Sequence, residues 1–362
     1  MKIGFISSSK MENEKRIPLH PEHFISINPK HYKNLIFEEG YPGINEIEGI
    51  NFESRENIFN ESDIVVLPKP VEADYALFKE GTILWGWVHC VQNYPIVQIA
   101  IEKRMTLIAW ESMYKWKGNA RQEHIFHRNN ELAGYCAVMH AFSLIGQNPG
   151  SYGKDLRIAV IGYGATGKGT VHALLGLGAN DITVFSKRSK FEIEDAITYV
   201  KYKTYQIAGS KVLMDNKEAI EILKEYDVII NCILQDTDNP VIFIKNKELN
   251  MLKKNTLIID VSCDKGMGFE FSQPTSFIRP ILRFDNVAYY AVDHTPSYLW
   301  DAASYEISGA LLPYLNYMLE KETYVGSEVL EKAIEIDKGK ILNPKIINFQ
   351  KRSNIWPYDM LV

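Results

Sequence analysis

Short runs of aliphatic, β-branched and aromatic residues recur along the chain, separated by polar or helical stretches. One series is KIGFIS, NLIFEE, DIVVLP, TILWGWV and MTLIAWE, and a second is LRIAVIG, DITVFS, YDVIIN, TLIIDVS and VAYYAVD. The strip QNPGSYGKD, rich in Pro and Gly, separates the two series. Because such runs alternate with helices in parallel sheets, the pattern predicts an α/β fold with two sheets.

Helical spacing of apolar residues predicts further elements at 91–104, 131–146, 303–319 and 327–336. We expect the last two, with the polar tail, to return to the first sheet. The sequence therefore predicts two Rossmann-like, doubly wound domains with a cleft between them. Residues 1–130 plus 295–362 would form a discontinuous substrate domain, and residues 131–294 a dinucleotide-binding domain.

Composition narrows the class of protein. Apolar residues make up 46% and charged residues 23% of the 362 positions, which is typical of a globular chain. The net charge of −5 argues against nucleic acid or an anionic membrane as a partner. No apolar run approaches a membrane span and the N-terminus has no signal-peptide core, so we expect a cytoplasmic protein. Cys90, Cys136, Cys232 and Cys263 lack metal-ligand spacing, which predicts buried thiols and no metal site.

The strand LRIAVI leads into a glycine-rich turn and then into a helix. Gly162, Gly164 and Gly167 form G-x-G-x-x-G, and Ala165 and Thr166 lie between the last two glycines. The first glycine permits a tight turn, the second lets a pyrophosphate approach the backbone, and the third lets the helix pack on the strand. The start of the helix favours an anion. This order of elements predicts a dinucleotide site, against the alternative of a structural Gly-rich turn.

The end of the next strand distinguishes the two nicotinamide dinucleotides. NAD sites place Asp or Glu there to bind the ribose hydroxyls. This chain has Ser186, Lys187 and Arg188 instead. A hydroxyl and two cations favour a 2′-phosphate, which predicts NADPH rather than NADH, the alternative being a solvated basic turn.

Three residues of the first series are candidates for substrate chemistry. Arg16 lies in NEKRIPLHPEH, Lys69 follows the strand DIVVLP, and His89 follows ILWGWV. Open α/β sheets bind ligands at the carboxyl ends of their strands. Singly, the three residues would be an ion pair, a strand-edge charge and a core histidine. Together they suit an α-keto acid.

Several motifs in one order resemble those of the alanine dehydrogenase family, which includes pyridine nucleotide transhydrogenase, saccharopine dehydrogenase and the N5-(carboxyethyl)ornithine synthases. The resemblance spans essentially the whole chain and is strongest to the last group. It rests on E-x-R-x-P-L-x-P at 14–21, a strand ending in Lys-Pro, G-W-x-H at 86–89, A-G-Y at 133–135, I-I-D-V with a downstream Asp at 258–264, and T-P-S at 295–297. The segments DVSCD and AVDHTPSYLWDAAS are similar to saccharopine dehydrogenase.

The resemblance implies roles for particular residues. Arg16 and Lys69 would hold the keto acid's carboxylate and carbonyl oxygen, and His89 would exchange a proton at that oxygen, with Lys69 as the alternative base. Asp264 would face them from the cofactor domain. Asn130 and His294 would line the nicotinamide side, although alanine dehydrogenases have asparagine where this chain has His294. Glu111 and Arg128 are candidates for contact with an amino-acid co-substrate, or else structural charges.

These roles imply an NADPH-dependent enzyme that condenses a pyruvate-like α-keto acid with the amino group of an ornithine- or lysine-like amino acid. The imine formed would be reduced to a secondary amine. Two alternatives remain open: an alanine dehydrogenase that uses ammonia, and a non-catalytic dinucleotide-binding sensor. The resemblance also implies a homo-oligomer.

Overall fold

The chain forms two compact units in a computed structural model that describes residues 1–44, 47–193, 195–209 and 211–361. The first unit comprises Met1–His127 and the chain from Trp300 onward, and the second comprises Arg128–Leu299. Each unit has its own, mainly parallel sheet. The α/β class with two Rossmann-like units, the first discontinuous, is confirmed. The chain passes from one unit to the other after His127 and again after Leu299, whereas the sequence predicts these boundaries after residues 130 and 294.

Strands and helices are numbered along the chain. The strands are β1 (Ile3–Phe5), β2 (Leu35–Glu38), β3 (Asn51–Glu53), β4 (Ile64–Val66), β5 (Ile83–Gly86), β6 (Thr106–Ala109), β7 (Tyr114–Lys117), β8 (Ala120–His124), β9 (Arg157–Ile161), β10 (Asp181–Ser186), β11 (Lys201–Ala208), β12 (Lys211–Met214), β13 (Lys217–Glu218), β14 (Val228–Asn231), β15 (Ile242–Ile244), β16 (Thr256–Asp260), β17 (Gly268–Phe269), β18 (Ile281–Phe284), β19 (Val287–Tyr290), β20 (Ile334–Asp337) and β21 (Lys340–Ile341). The α-helices are α1 (Pro21–Phe24), α2 (Arg55–Glu61), α3 (Glu72–Tyr75), α4 (Tyr94–Glu102), α5 (His127–Ile145), α6 (Ala165–Gly176), α7 (Ala219–Leu223), α8 (Trp300–Lys321), α9 (Glu328–Lys332) and α10 (Pro344–Gln350).

The first unit is built on an eight-stranded sheet in the order β3-β2-β1-β4-β5-β6-β20-β21. Strands β1 to β6 are parallel, and β20 pairs antiparallel with β6. The chain order reverses between β1 and β4, which is where doubly wound sheets place their ligand site. Strands β1, β4 and β6 are buried along their whole length, as expected for strands covered on both faces.

The second unit is built on a nine-stranded sheet in the order β13-β12-β11-β10-β9-β14-β16-β19-β18. Strands β11, β10, β9, β14, β16 and β19 are parallel, and β12, β13 and β18 are antiparallel additions at the edges. The chain order reverses between β9 and β14. Helix α6 follows β9 directly, so the glycine-rich turn lies at this point of reversal.

All ten strands predicted from the hydrophobic runs are present. One of the four predicted helices is helical over only part of its length. The segment 327–336 forms the short helix α9 and then strand β20, because Ile334 and Ile336 pair with β6. Pairing with a strand far away in the sequence overrides the local helical pattern.

All four cysteines are buried thiols. In the described part of the chain, no helix has both the length and the apolar character needed to cross a membrane.

Candidate active site

Three loops at the carboxyl edge of the first sheet carry candidate residues. Lys69 follows β4, His89 follows β5, and Glu111 lies in a short 3₁₀ helix directly after β6. The backbone N–H of Trp87 donates a hydrogen bond of 2.9 Å to the Pro68 carbonyl, which links the first two of these loops. Neighbouring parallel strands therefore place the three side chains on adjacent loops.

Arg16 lies in the loop after β1 and is nearly inaccessible, with 3% of its surface exposed. Its Nε donates to Glu14 Oε1 at 2.8 Å and its Nη2 to Glu14 Oε2 at 2.5 Å. The guanidinium also lies over the Trp87 ring, 5.1 Å from the centroid. Ion pairing and stacking together hold one orientation of the guanidinium. Arg16 is thus one half of a buried ion pair, where the sequence alone suggested an anchor or a surface pair.

The backbone around Lys69 is held from both sides. The Ser9 hydroxyl donates to the Lys69 carbonyl. Beyond Lys69, the N–H of Val71 donates to the Asp74 carboxylate, which is itself paired with the half-buried Arg55 at 2.9 Å. Lys69 is thus tied to the loop after β1 and Val71 to the start of helix α3, so hydrogen bonds restrain the backbone at and after Lys69.

His89 has an exposed side chain and an unusual backbone conformation, with φ of 47°. Its N–H donates a hydrogen bond of 2.5 Å to Glu111 Oε1. A non-glycine residue in the left-handed region is strained, and such strain is concentrated at functional sites. The sequence identified His89 but gave no sign of this contact with Glu111, because the two residues lie on different strands.

The glycine-rich turn of the second unit has the geometry that a dinucleotide requires. Gly162 has φ of 95°, and a Cβ there would lie 3.0 Å from the Cys232 carbonyl oxygen. A Cβ on Gly167 would lie 2.3 Å from the Gly162 carbonyl oxygen, so the helix packs tightly on the turn. A Cβ on Gly164 would meet nothing within 4 Å, and no side chain caps helix α6 there. The start of α6, at Ala165 and Thr166, therefore offers backbone N–H groups to an anion, so these residues fit a pyrophosphate.

The end of strand β10 carries the three residues expected at the ribose. The Ser186 hydroxyl accepts a hydrogen bond of 3.1 Å from the Arg188 N–H, and the Arg188 guanidinium donates to the Tyr163 carbonyl at 2.5 Å. Tyr163 belongs to the glycine-rich turn, so Arg188 reaches that turn from the next strand. Lys187 is exposed. A hydroxyl and two cations thus lie beside the start of α6.

Asp264, Asn130 and His294 all lie in the second unit. The hydroxyl of Ser262 donates to the Ile233 carbonyl at 2.5 Å and the N–H of Cys263 donates to the buried Asp260 carboxylate at 3.2 Å, which fixes the loop that carries Asp264. The hydroxyl of Thr295, next to His294, donates a hydrogen bond of 2.8 Å to the Ala133 carbonyl on α5.

Asn130 lies in the first turn of helix α5, and the hydrogen bond from Thr295 to Ala133 places this end of the helix beside the loop of His294. Cys263 and His294 have φ of 43° and 50°, so the predicted positions His89, Asp264 and His294 all lie at or next to left-handed residues. The His294 side chain is 6% exposed and its ring packs against Phe277. No group of three or more His, Cys, Asp or Glu side chains among the described residues could hold a metal ion.

Other residues of the site could not be identified from the sequence alone. Asp260 accepts hydrogen bonds from Asn231, Ser272 and Tyr289, and burial raises the pKa of its carboxyl. Its place at the end of strand β16 was the available signal. Glu14 precedes Arg16 at the spacing E-x-R, which is the signal that could have identified this ion pair. Arg128 pairs with Glu131 at 2.6 Å on the same helix, so a structural role is sufficient for it.

Comparison with known proteins identifies the class. The family model described as "Alanine dehydrogenase/PNT, C-terminal domain" matches residues 139–344, more than half of the chain. A protein named N(5)-(carboxyethyl)ornithine synthase from Clostridium botulinum is 27% identical over 347 residues, which cover 90% of this chain and 96% of that protein. Alanine dehydrogenase 1 from Staphylococcus aureus is 21% identical and covers 92% of each chain. A solved structure of L-alanine dehydrogenase superposes with a TM-score of 0.77 at 18% identity, covering 96% of this chain and 99% of that one.

The sequence and the fold thus define a two-unit dehydrogenase. The chain belongs to the alanine dehydrogenase/PNT family. It is an oxidoreductase of the amino-acid dehydrogenase type whose cofactor is a pyridine nucleotide.

Proposed function

We propose that this enzyme uses NADPH to condense a pyruvate-like α-keto acid with the amino group of an ornithine- or lysine-like amino acid. The observation that carries the proposal is the similarity to the Clostridium botulinum protein named N(5)-(carboxyethyl)ornithine synthase, at 27% identity over 90% of this chain. Over a similar length the identity to alanine dehydrogenase 1 is 21%.

The choice of NADPH is supported by the end of strand β10. Ser186, Lys187 and Arg188 present a hydroxyl and two cations where an NAD site would have a carboxylate. Charge-assisted hydrogen bonds to a 2′-phosphate would use these groups, whereas a carboxylate would repel it. The contact of Arg188 with the Tyr163 carbonyl keeps its charge close to the glycine-rich turn.

In this proposal the keto acid binds at the carboxyl edge of the first sheet. Arg16, oriented by Glu14 and Trp87, attracts the carboxylate of the keto acid. Lys69 contacts the carbonyl oxygen, and its restrained backbone limits the positions that its ammonium group can reach. Asp264 is the acidic residue that the family resemblance adds to this chemistry. Asn130 and His294 contact the nicotinamide.

The reaction balances as keto acid, amine, NADPH and a proton giving secondary amine, NADP⁺ and water. When bound, NADPH supplies the hydride that the imine carbon accepts. Loss of water during imine formation requires a proton at the departing oxygen, and the incoming amine must lose protons. His89 is suited to both transfers because histidine exchanges protons near neutral pH, and Lys69 is the alternative base.

An amine screen tests this function. The protein is incubated with pyruvate and NADPH, and with ammonia, ornithine or lysine as the amine, while NADPH oxidation is followed. We expect turnover with ornithine or lysine and little with ammonia. Turnover with ammonia alone would show that the enzyme is an alanine dehydrogenase, as the name of the Staphylococcus aureus relative suggests. Tight NADPH binding without turnover of any amine would indicate a sensor.

A further inference from the structure

Glu111 has two carboxyl oxygens in different surroundings. Its Oε1 accepts the hydrogen bond from the N–H of His89. Its Oε2 is buried and has no hydrogen-bond partner. A buried carboxylate oxygen without a partner is costly when it carries charge, and much less so when the carboxyl group is protonated.

A second buried carboxyl group, that of Glu335 on strand β20, lies near Glu111. Glu335 is 6% exposed and accepts hydrogen bonds from the Ser112 hydroxyl and from the Asn343 side-chain amide. Ser112 is the direct neighbour of Glu111 in the chain, so the two carboxyl groups lie on adjoining elements. Glu335 thus has donors for its carboxyl oxygens, whereas Glu111 Oε2 has none among the described residues. This difference assigns the proton to Glu111.

The electrostatics around Glu111 agree with this assignment. Burial, followed by the charge of Glu335, raises the pKa of Glu111 to about 8. The other titratable groups facing it are uncharged near neutral pH: burial lowers the pKa of His124 to about 4 and raises the pKa values of Cys90 and Tyr114. Arg121, on β8, lies over the Tyr114 ring. Among the described residues, Glu335 is the charged group that raises the pKa of Glu111.

We propose that Glu111 is a positioning residue for His89, and that Glu111 and Glu335 act as a carboxyl pair that holds a single proton at neutral pH. The proton resides on Glu111 Oε2, which leaves Oε1 to accept from the strained backbone of His89. The carboxyl pair thereby fixes the left-handed turn from which the imidazole projects. The effect on catalysis rests on the proposed role of His89 in proton transfer, whereas the protonation of Glu111 does not.

Ionisation of Glu111 should weaken its hydrogen bond to His89 and lower the activity. As the pH rises through the pKa of Glu111, two like charges face each other in a buried place, and the carboxylate of Glu111 is driven away from Glu335. The hydrogen bond to His89 is weakened, so activity falls with rising pH in this range. Glutamine at position 111 keeps a neutral oxygen acceptor for His89 but cannot ionise.

Infrared spectroscopy of the full-length protein tests the protonation of Glu111 without any substrate. We expect the C=O band of a protonated carboxyl group at pH 7 that titrates away near pH 8, is absent in Glu111→Gln and titrates at lower pH in Glu335→Gln. Glu61→Gln, an exposed glutamate on α2, is the matched control and should keep the band. A Glu111→Gln spectrum identical to that of the parent protein at pH 7 would overturn the carboxyl pair.

Hydrogen exchange at the His89 amide tests the positioning role, again without turnover. The amide should be protected in the parent protein and in Glu111→Gln, and should exchange rapidly in Glu111→Ala. In the activity assay, Glu111→Ala should lower kcat by roughly 10²-fold, as expected for a displaced catalytic group. Glu111→Gln should keep most of kcat near pH 7 and lose the alkaline fall near pH 8. Equal protection in all three proteins would overturn the positioning role, and absence of turnover in every protein would instead defeat the proposed function.

Discussion

The two units prepare their candidate sites by different physical means. In the second unit a single stretch of chain, from β9 through the glycine-rich turn into α6, carries the geometry that a dinucleotide needs, and mostly backbone groups supply it. In the first unit the candidate site is assembled from the loops after β1, β4, β5 and β6, and buried ionisable side chains hold it: Glu14 with Arg16, and Glu111 beside Glu335. A local backbone motif tolerates changes around it, whereas a set of buried charges depends on every partner.

This contrast suggests which changes should be severe. Of the candidate residues in the first unit, His89 is proposed to transfer a proton and Arg16 is paired with a buried carboxylate, so we expect their loss to be severe. Lys187 and Arg188, which we propose face the ribose in the second unit, are exposed, so we expect their replacement to change ligand preference with little cost to the fold. The expected effects therefore decrease from the first unit to the second.

The largest effect is expected for His89→Gln. Glutamine has similar reach but cannot titrate, so kcat should fall by roughly 10²–10⁴-fold while NADPH binding hardly changes. Steady-state kinetics and cofactor titration measure the two quantities. His31→Gln, which removes a histidine paired with Glu320 elsewhere in the same unit, should leave kcat unchanged. Near-normal kcat in His89→Gln would exclude it from proton transfer and leave Lys69 as the base.

Arg16→Met should affect stability as well as substrate binding. Removing the cation of a buried ion pair takes the guanidinium away from the Glu14 carboxylate, and such a loss typically costs about 3–5 kcal/mol in the free energy of unfolding. Denaturant unfolding measures this cost, and kinetics should show a raised KM for the keto acid. The double variant Glu14→Gln with Arg16→Met should recover much of the stability but not the KM. If the double variant were as unstable as the single one, ion pairing would not explain the loss.

A smaller effect is expected at the ribose end of the second unit. Replacing Lys187 and Arg188 by alanine should weaken NADPH relative to NADH by roughly 1.5–3 kcal/mol, the value of a hydrogen bond to a charged group. Gly164→Val is the matched contrast, because a branched side chain at the pyrophosphate position should weaken both dinucleotides together. Equal losses for NADPH and NADH in the alanine variant would mean that these cations do not face the 2′-phosphate.

The dependence of stability on pH gives the smallest expected effect. The pKa of Glu111 is raised to about 8 in the folded protein, so between its ordinary value and 8 the folded state binds a proton that the unfolded state has lost. Its contribution to stability therefore falls as the pH rises through this range.

His124, with a pKa lowered to about 4, acts in the opposite direction but only below its ordinary pKa of 6.5. The pKa of Asp260 is also raised by burial, but Asp260 is the same in the parent protein and in Glu111→Gln, so comparing the thermal unfolding of the two proteins between pH 6.5 and 8 isolates Glu111. The unfolding midpoint of the parent protein should decrease over this interval more steeply than that of Glu111→Gln. Parallel curves would contradict the raised pKa.

Much of this architecture could be predicted because its signals are local. The ten hydrophobic runs became strands, and the glycine-rich turn followed β9 as its spacing indicated. Strands such as β11 and β20 escaped prediction, since β11 is largely exposed and β20 is defined by pairing with a distant strand. The approach of Glu335 to Glu111 has the same cause: no periodicity in a sequence relates side chains that meet only through sheet topology. Candidate residues could be identified, but the partners that orient them could not.

Isotope-resolved mass analysis of the product tests the central proposal most directly. The protein is incubated with pyruvate, NADPH, unlabelled ammonia and ornithine carrying ¹⁵N in its side-chain amino group. The account predicts a single product that contains the carbon skeletons of both pyruvate and ornithine, joined through the ¹⁵N as a secondary amine, with one NADPH consumed for each product formed. Unlabelled alanine as the sole product, with ornithine recovered intact, would contradict it.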